Sequence, residues 1–259
     1  HENKQWNPEY VRVGLYFILI GLFKKIIIAD RLSFFVDGIY RNPYIFSGAT
    51  VLVATYFFAF QIYLDFSGYT DIAIGSAKIF GYDIPENFRR PYFATNISEF
   101  WRRWHISLSG WLRDYLYIPL GGNKFGVFHT YFNLMTTMVL GGLWHGAAWT
   151  FVVWGFIHGL SLSLSKATLF WRDKFWNFFH TPQRLVNVWR IFFTFNLVCL
   201  SWIFFRAESL SDAHLVIVSI FTKFGSLQFP FVSKSKLVLY VAMIIGLVVF
   251  EILESRKSF

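Results

Sequence analysis

Residues 237–253 read LVLYVAMIIGLVVFEIL, seventeen positions with one charged side chain, Glu251. A helix of about 20 apolar residues crosses the hydrocarbon core of a bilayer, and this stretch approaches that length. Other long apolar runs occupy residues 11–28, 47–64, 131–164 and 188–205. Because the runs are continuous and do not alternate, they predict spanning helices and not barrel strands. The run at 131–164 is long enough for one or two passes.

The composition agrees with a membrane protein. Of 259 residues, 55% are hydrophobic and only 15% are charged, whereas soluble domains carry about 25% charged residues. We therefore predict an all-α, polytopic transmembrane helical bundle. No repeat or soluble segment interrupts it, so we expect a single membrane-embedded domain over residues 1–259. The first residue is His1 and no signal peptide is recognisable, so we expect an internal fragment whose fold lacks its amino-terminal part.

The formal charge of +9 does not indicate a nucleic-acid partner, because the basic residues do not form one soluble face. They cluster at predicted helix ends and in short connections, where cytoplasmic positive charge and anionic lipid headgroups place them. Membrane lipids are therefore the expected partners. Lys24 and Lys25 interrupt the first run, so we expect that pass to end early or its lysines to extend towards the interface.

The second apolar run continues into polar residues at 61–71, QIYLDFSGYTD. Such polarity is tolerated in a membrane helix only where it faces a protein interior or a water-filled cavity. Asp65 and Asp71 are therefore candidate site residues. Two roles remain open for them: acids in a proton relay, or carboxylates that orient hydrogen bonds inside the bundle.

A helical period resumes at Ser98, which we predict as the N-cap, with Glu99 in the first turn. Aromatic residues at spacings of three and four predict one aromatic face on a helix that continues to Pro119. The arginines of this segment make it too charged for a lipid-exposed span. We therefore predict a re-entrant or interfacial helix that packs against the bundle.

Two histidines lie forty positions apart in this apolar, Trp-rich sequence, His105 and His145. An ionisable residue at bilayer depth is a functional candidate, and imidazole suits proton transfer near neutral pH. Small residues around His145 leave space for a substrate, which favours a general base, although a packing histidine between helices fits the same pattern. His105 has Arg102 and Ser109 nearby on a helix, which favours either a neutral catalytic imidazole or a hydrogen bond to the serine.

Other chemistries fit less well. On one continuous helix, His158 lies about 220° around the axis from His145, so we expect a structural or interfacial role for it. A metal site lacks a third ligand and a metal-binding spacing, and no Gly-x-Ser-x-Gly elbow indicates a serine hydrolase. Asp114 follows Arg113 and is expected to form a structural ion pair with it.

These segments together resemble the membrane-bound O-acyltransferase family, and within it the bacterial alginate O-acetyltransferase branch. The resemblance covers most of residues 10–215. It is carried by QIYLDFSGYTDIA at 61–73, NFRRPY at 87–92, the long segment 99–123, GGLWHGAAWTFVVWGFIHG at 141–159 and FFRA at 204–207.

The resemblance implies a catalytic role for His145 and a second active-site role for His105. It implies a helical fold around a central funnel, with no permanently bound cofactor. Acetyl-CoA or another acyl thioester would enter from the cytoplasm, and a polysaccharide acceptor from the other face. Candidate contacts to these substrates are Trp101, Arg102, Arg103, Trp104, Ser109, Trp144, Asp65 and Asp71. With Arg89, Arg90 and Arg113, the arginines would face donor phosphates.

The main hypothesis is acetyl transfer to hydroxyls of an extracytoplasmic polysaccharide, such as an alginate-like exopolysaccharide or a cell-wall glycan. An extracytoplasmic acetyltransferase subunit is the expected partner, and the bacterial inner membrane the expected location, with several passes. One alternative is D-alanyl transfer from a carrier protein to teichoic acid. An alternative of another class is a transporter or channel, in which embedded histidine, aspartate and arginine line a path.

Overall fold

The computed structural model describes residues 7–228 and 231–255, and within them it contains helices and no strand. The prediction of an all-α fold is confirmed. The helices are α1 Pro8–Leu22, α2 Asp30–Tyr40, α3 Gly48–Ile79, α4 Ile97–Arg103, α5 Ile106–Leu112, α6 Gly126–His145, α7 Trp149–Ala167, α8 Leu169–Phe178, α9 Gln183–Arg206, α10 Leu210–Thr222 and α11 Lys234–Ser255, with π-helical segments at Phe23–Ala29 and Arg113–Tyr117.

Every apolar run in the sequence forms helix. The run at 131–164 forms two helices, α6 and α7. The run at 11–28 lies in α1 and the π-helical segment that follows it, and the other runs fall in α3, α9 and α11. In the described part of the chain, three helices are long and apolar enough to cross a membrane: Gly48–Ile79, Gln183–Arg206 and Lys234–Leu253.

The chain divides into two compact units, one of His1–Glu86 with Leu215–Phe259 and the other of Asn87–His214. In the first unit, α1 and α3 cross at glycines spaced seven residues apart on each helix. A Cβ on Gly14 would lie 2.6 Å from the carbonyl oxygen of Gly75, and a Cβ on Gly21 would lie 2.5 Å from that of Gly68. The two backbones approach so closely that only glycine fits at this crossing.

Lys24 and Lys25 lie in the π-helical segment that joins α1 to α2. The Nζ of Lys24 lies 2.8 Å from Oδ2 of Asp71, and Lys25 pairs with Asp65 and Asp30. Neither expected outcome describes this pass fully: α1 ends at Leu22 before the lysines, but helical structure continues as the π-helical segment, and both lysines pair with carboxylates on α2 and α3. Pairing offsets the cost of burying the charges of Lys24 and Asp71.

In the second unit, α6 and α7 form a closely packed pair, and α9 packs against α7. A Cβ on Gly142 of α6 would lie 2.2 Å from the carbonyl oxygen of Phe151, and one on Gly155 of α7 would lie 2.3 Å from that of Met138. These glycines therefore permit the contact that brings the two helix backbones together. The short chain Gly146–Ala148 connects α6 to α7 at the end where His145 lies.

The segment predicted as one helix from Ser98 to Pro119 is broken, so that prediction is wrong. Helix α4 begins at Ile97 with Asn96 as its N-cap, and the Asn96 side chain accepts a hydrogen bond from the backbone N–H of Glu99. The helix ends at Arg103, and α5 begins at Ile106. The single aromatic face expected from the spacing is therefore divided between two helices.

Candidate active site

His145 is the last residue of α6, and the chain then turns through an extended Gly146 into α7. Its half-buried imidazole lies against Trp154 of α7, with ring centroids 5.2 Å apart and planes at 87°. Phe205 of α9 contacts the same ring at 5.0 Å, and Phe151 contacts it at 6.1 Å. Three aromatic rings from two other helices thus form a wall around the side chain, which fixes its position where α6 ends.

His105 lies at the break between α4 and α5, with a backbone φ of 42°. This left-handed conformation is uncommon for a residue with a Cβ and costs free energy, and strain of this kind is often found at functional sites. Its imidazole lies 6.2 Å from the ring of Trp144, which is 4.9 Å from that of His145. The two imidazoles are close enough to interact electrostatically. The structure therefore brings together His105, Trp144 and His145.

Asn87 stabilises the helix break that carries His105. Its backbone carbonyl accepts a hydrogen bond from the N–H of Ile106 at 3.0 Å, and its side-chain Oδ1 accepts one from the N–H of Ser107 at 2.9 Å. Both donors are first-turn amides of α5, which have no partner within their own helix. This role of Asn87 is not evident from the sequence, because Ile106 and Ser107 lie about twenty positions further along the chain.

Arg102 and Arg103 differ in their surroundings. Arg102 is exposed, whereas Arg103 forms an ion pair with Glu99 one turn earlier on α4 and also donates to the carbonyl oxygen of Arg90. Burial alone would raise the pKa of Glu99, but hydrogen bonds from Thr95 and the charge of Arg103 lower that pKa below its ordinary value. Glu99 is therefore ionised at neutral pH, and the Arg103 guanidinium is already engaged.

The other residues of the α4–α5 segment that were predicted to contact substrate are less exposed than Arg102. Trp101 and Trp104 are buried, and the ring of Trp104 lies 5.1 Å from that of Trp202. The hydroxyl of Ser109 donates to the carbonyl oxygen of Trp104 at 3.1 Å, across the helix break. Trp144 differs from these residues because it is 61% exposed.

Asp65 and Asp71 belong to the first unit, on α3, whereas the two histidines belong to the second. Asp71 pairs with Lys24 inside the helix pair, and Asp65 pairs with Lys25. Both carboxylates therefore take part in the packing of their own unit. Their predicted contact with a substrate stays a prediction.

The other basic residues named from the sequence have distinct positions. Arg113 and Asp114 form a two-point ion pair, with Nε–Oδ1 and Nη2–Oδ2 distances of 2.7 and 3.1 Å, so the expected structural pair is confirmed. Arg89 donates its backbone N–H to the carbonyl oxygen of Arg103, and Arg90 has a φ of 49°. The segment before α4 is thus hydrogen-bonded to the last residue of that helix.

Three residues that touch His145 were not identified from the sequence: Phe151, Trp154 and Phe205. All three lie within the segments that carry the family resemblance, but local spacing does not show that their rings meet at one imidazole. In the described residues no group of three histidine, cysteine, aspartate or glutamate side chains is arranged to hold a metal ion. The arrangement is suited to proton transfer by an imidazole at the end of a helix, beside a second imidazole.

The structure thus combines helices long and apolar enough to cross a membrane with two histidine side chains that lie beside the same tryptophan ring. Residues 1–207 match MBOAT, the membrane-bound O-acyltransferase family. The chain belongs to this family, whose members are integral membrane proteins. The resemblance inferred from its motifs is therefore confirmed.

Individual relatives agree with the family. A peptidoglycan O-acetyltransferase of Helicobacter pylori is 43% identical over 211 residues, which are 82% of this chain and 39% of the relative. A probable alginate O-acetylase AlgI of Pseudomonas putida is 45% identical over 84% of this chain and 42% of its own length. A teichoic acid D-alanyltransferase of Bacillus subtilis is 30% identical over 82% of the chain and 56% of its own length. The chain thus spans about two fifths of the acetylase relatives.

Proposed function

We propose that this chain belongs to an O-acyltransferase that moves an acetyl group from a cytoplasmic thioester to a hydroxyl of an extracytoplasmic polysaccharide. The observation that carries the proposal is the half-buried imidazole of His145, held by aromatic rings at the end of α6 beside His105. Relatives named as acetylases of alginate and peptidoglycan support the acetyl group and the polysaccharide acceptor.

In the proposed reaction, His145 acts as the general base. It takes the proton from the acceptor hydroxyl as that oxygen attacks the thioester carbonyl carbon. A carbon–oxygen bond forms, the carbon–sulfur bond breaks, and the departing thiolate receives the proton from the imidazolium. His105 positions the donor or the acceptor. The transfer is made directly to the polysaccharide, or through an extracytoplasmic acetyltransferase subunit that completes it.

The donor side of the proposal involves the arginines near α4. Phosphate groups of coenzyme A, or of a phosphopantetheine arm, need cationic partners, and guanidinium groups bind phosphate oxygens in pairs. Exposed Arg102 has the freedom to do this, whereas Arg103 is engaged with Glu99. We place the protein in the bacterial inner membrane with several passes, so that the donor is reached from the cytoplasm.

The test is transfer of isotopically labelled acetyl in membranes that contain the full-length protein or its His145→Ala variant. General base catalysis contributes about 10²–10⁴-fold, so we expect acetyl transfer to fall by at least about 100-fold. His129→Ala is the matched control, because His129 lies on the same helix and its side chain is exposed. The control should insert and transfer acetyl like the unmodified protein.

A His145→Ala protein that inserts normally and keeps full acetyl transfer would refute the assignment of the base. If no labelled acetyl reaches polysaccharide even with the unmodified protein, the choice of acyl group is wrong.

D-alanyl transfer to teichoic acid is the second candidate, favoured by the similarity to teichoic acid D-alanyltransferases. It uses the same attack on a thioester, with the donor on a carrier protein. A transporter or channel has less support, because the chain belongs to an acyltransferase family. That alternative predicts flux through the membrane without covalent transfer.

A further inference from the structure

His158 on α7 is the centre of a buried aromatic cluster in the second unit. Its side chain is fully buried, and its ring lies 4.8 Å from that of Trp154 and 5.1 Å from that of Trp101. The helix breaks between His145 and Trp149, so the angle expected for a continuous helix does not apply. As a result, His145 and His158 both contact the indole of Trp154.

Hydrogen bonds on α9 define the tautomer of His158. Its Nε2 lies 2.9 Å from Oγ of Ser201, and that hydroxyl donates to the carbonyl oxygen of Val198 at 2.7 Å. A serine hydroxyl has one hydrogen, and here it points to the carbonyl. Ser201 therefore accepts from His158, so Nε2 carries the proton and Nδ1 keeps a lone pair.

Three polar atoms around this ring have no hydrogen-bond partner within the described part of the chain: Nδ1 of His158 and the Nε1 atoms of Trp101 and Trp154. A buried polar atom without a partner is costly, and native proteins contain few of them. Here one acceptor and two donors occur on rings that touch one another. Because the donors and the acceptor lie on neighbouring rings, one small molecule between them could satisfy all three atoms.

We propose that these three atoms form a binding site for one water molecule. The water would accept hydrogen bonds from the two indole N–H groups and donate one to Nδ1 of His158. A buried water needs two to four polar partners, and the site offers three. The side chains of His158 and Trp154 are at most 1% exposed, so the enclosed site suits water and not a substrate.

The water site makes His158 a positioning residue for His145. The indole of Trp154 meets the His145 ring nearly at a right angle, so its orientation sets one side of the space around that imidazole. A hydrogen bond from the Trp154 N–H to the water holds the indole against rotation. This second step rests on the proposed function of His145, whereas the water site itself does not.

The first experiment measures the site without measuring transfer. Full-length protein labelled with ¹⁵N-histidine is studied in membranes by solid-state NMR, and the His158 signals are assigned by their loss in His158→Phe. We expect a proton on Nε2 and an Nδ1 shift typical of a nitrogen that accepts a hydrogen bond. A proton on Nδ1, or an Nδ1 shift typical of a nitrogen without a hydrogen bond, would overturn the proposal.

The second experiment measures kcat and KM for acetyl transfer in His158→Phe, which keeps an aromatic ring but has no nitrogen. We expect kcat to fall about tenfold with KM for the donor unchanged. His129→Phe makes the same chemical change at an exposed position and should leave both constants unchanged. Trp154→Phe removes one donor to the water and keeps a ring beside His145, so it provides a second variant if His158→Phe does not fold.

An unchanged kcat in folded His158→Phe and Trp154→Phe would overturn the positioning role. The two proposals fail separately: the NMR signature of His158 does not depend on acetyl transfer, and the effect of His145→Ala on transfer does not depend on the water.

Discussion

Arg102 and Arg103 are neighbours in the sequence, but their side chains have different surroundings. The Arg103 guanidinium pairs with Glu99 and reaches the carbonyl oxygen of Arg90, so its removal disturbs the packing around α4. The Arg102 side chain is exposed. The sequence showed only two adjacent positive charges. Their roles differ because Arg103 lies one helical turn from Glu99 and reaches Arg90 in the segment before α4.

Charge reversal tests this separation. We expect Arg102→Glu to raise KM for the acyl thioester by about tenfold or more, because a charged hydrogen bond to phosphate contributes about 1.5–3 kcal/mol. Membrane insertion and unfolding temperature should not change. Arg103→Glu places a carboxylate beside Glu99 and should lower the unfolding temperature. Equal loss of insertion in both variants would show that the arginines act only through topology.

Lys24 and Asp71 form an ion pair whose side chains are largely buried, at 11% and 16% exposure. Breaking a buried pair leaves one charge without its partner and costs about 3–5 kcal/mol, whereas replacing both partners with apolar residues is often neutral. Stability measurements can therefore separate the packing role of Asp71 from its predicted contact with a substrate.

We expect Asp71→Leu alone to reduce the free energy of unfolding by about 3–5 kcal/mol. The double variant Lys24→Met with Asp71→Leu should regain most of that loss, as measured by unfolding in detergent. If the double variant also regains acetyl transfer, Asp71 acts through packing alone. Restored stability without restored transfer would support its contact with a substrate. An unchanged stability in Asp71→Leu would contradict the pair.

Most of the long helices could be predicted from the sequence, which also left open whether residues 131–164 form one helix or two, but the break between α4 and α5 was missed. The apolar runs at 11–28, 47–64 and 188–205 correctly predicted helices, because a long continuous apolar stretch satisfies its backbone hydrogen bonds in a membrane by forming a helix. The break at His105 could not be predicted in the same way. Local spacing continues a helix through residue 105, and the bonds that hold the break come from Asn87, outside the segment.

Asn87→Ala removes the side-chain acceptor for the N–H of Ser107 and keeps the backbone bond to Ile106. Loss of such a cap costs about 1 kcal/mol, and we expect kcat for acetyl transfer to fall about tenfold because His105 loses its support. Asn87→Asp keeps an acceptor and should retain transfer.

The matched control for this experiment is Ser209→Ala, because the Ser209 hydroxyl accepts from the N–H of Asp212 at the start of α10. It should lower the unfolding temperature to a similar degree without changing kcat. If Asn87→Ala and Ser209→Ala reduce transfer equally, the bond at Asn87 contributes only stability.

Across the whole molecule, the family could be recognised from the sequence because its motifs extend over most of the chain, and residues 1–207 match the family. It also named His105 and His145, whose rings both lie next to that of Trp144. It did not show which residues surround them, since Trp154 and Phe205 reach His145 from two other helices. The single domain predicted over residues 1–259 stays a prediction.

The similarity to relatives leads to a prediction about the acyl group. Identity is 43–45% with the named peptidoglycan and alginate acetylases, and 30% with a teichoic acid D-alanyltransferase. A D-alanyl group carries an ammonium and a methyl group that acetyl lacks; a site built for acetyl leaves the ammonium without a partner, and a buried charge of that kind is costly. We therefore expect a strong preference for acetyl.

Membranes that contain the full-length protein are given either a labelled acetyl thioester or a carrier protein loaded with labelled D-alanine. The label that reaches polysaccharide and teichoic acid is then measured. The unpaired ammonium of D-alanyl is costly to bury in a site built for acetyl, so only acetyl should be transferred at a measurable rate. His145→Ala membranes give the background for both substrates. Transfer of D-alanine at a rate that His145→Ala abolishes would reverse the assignment of the acyl group while leaving the role of His145 intact, because both reactions need the same base.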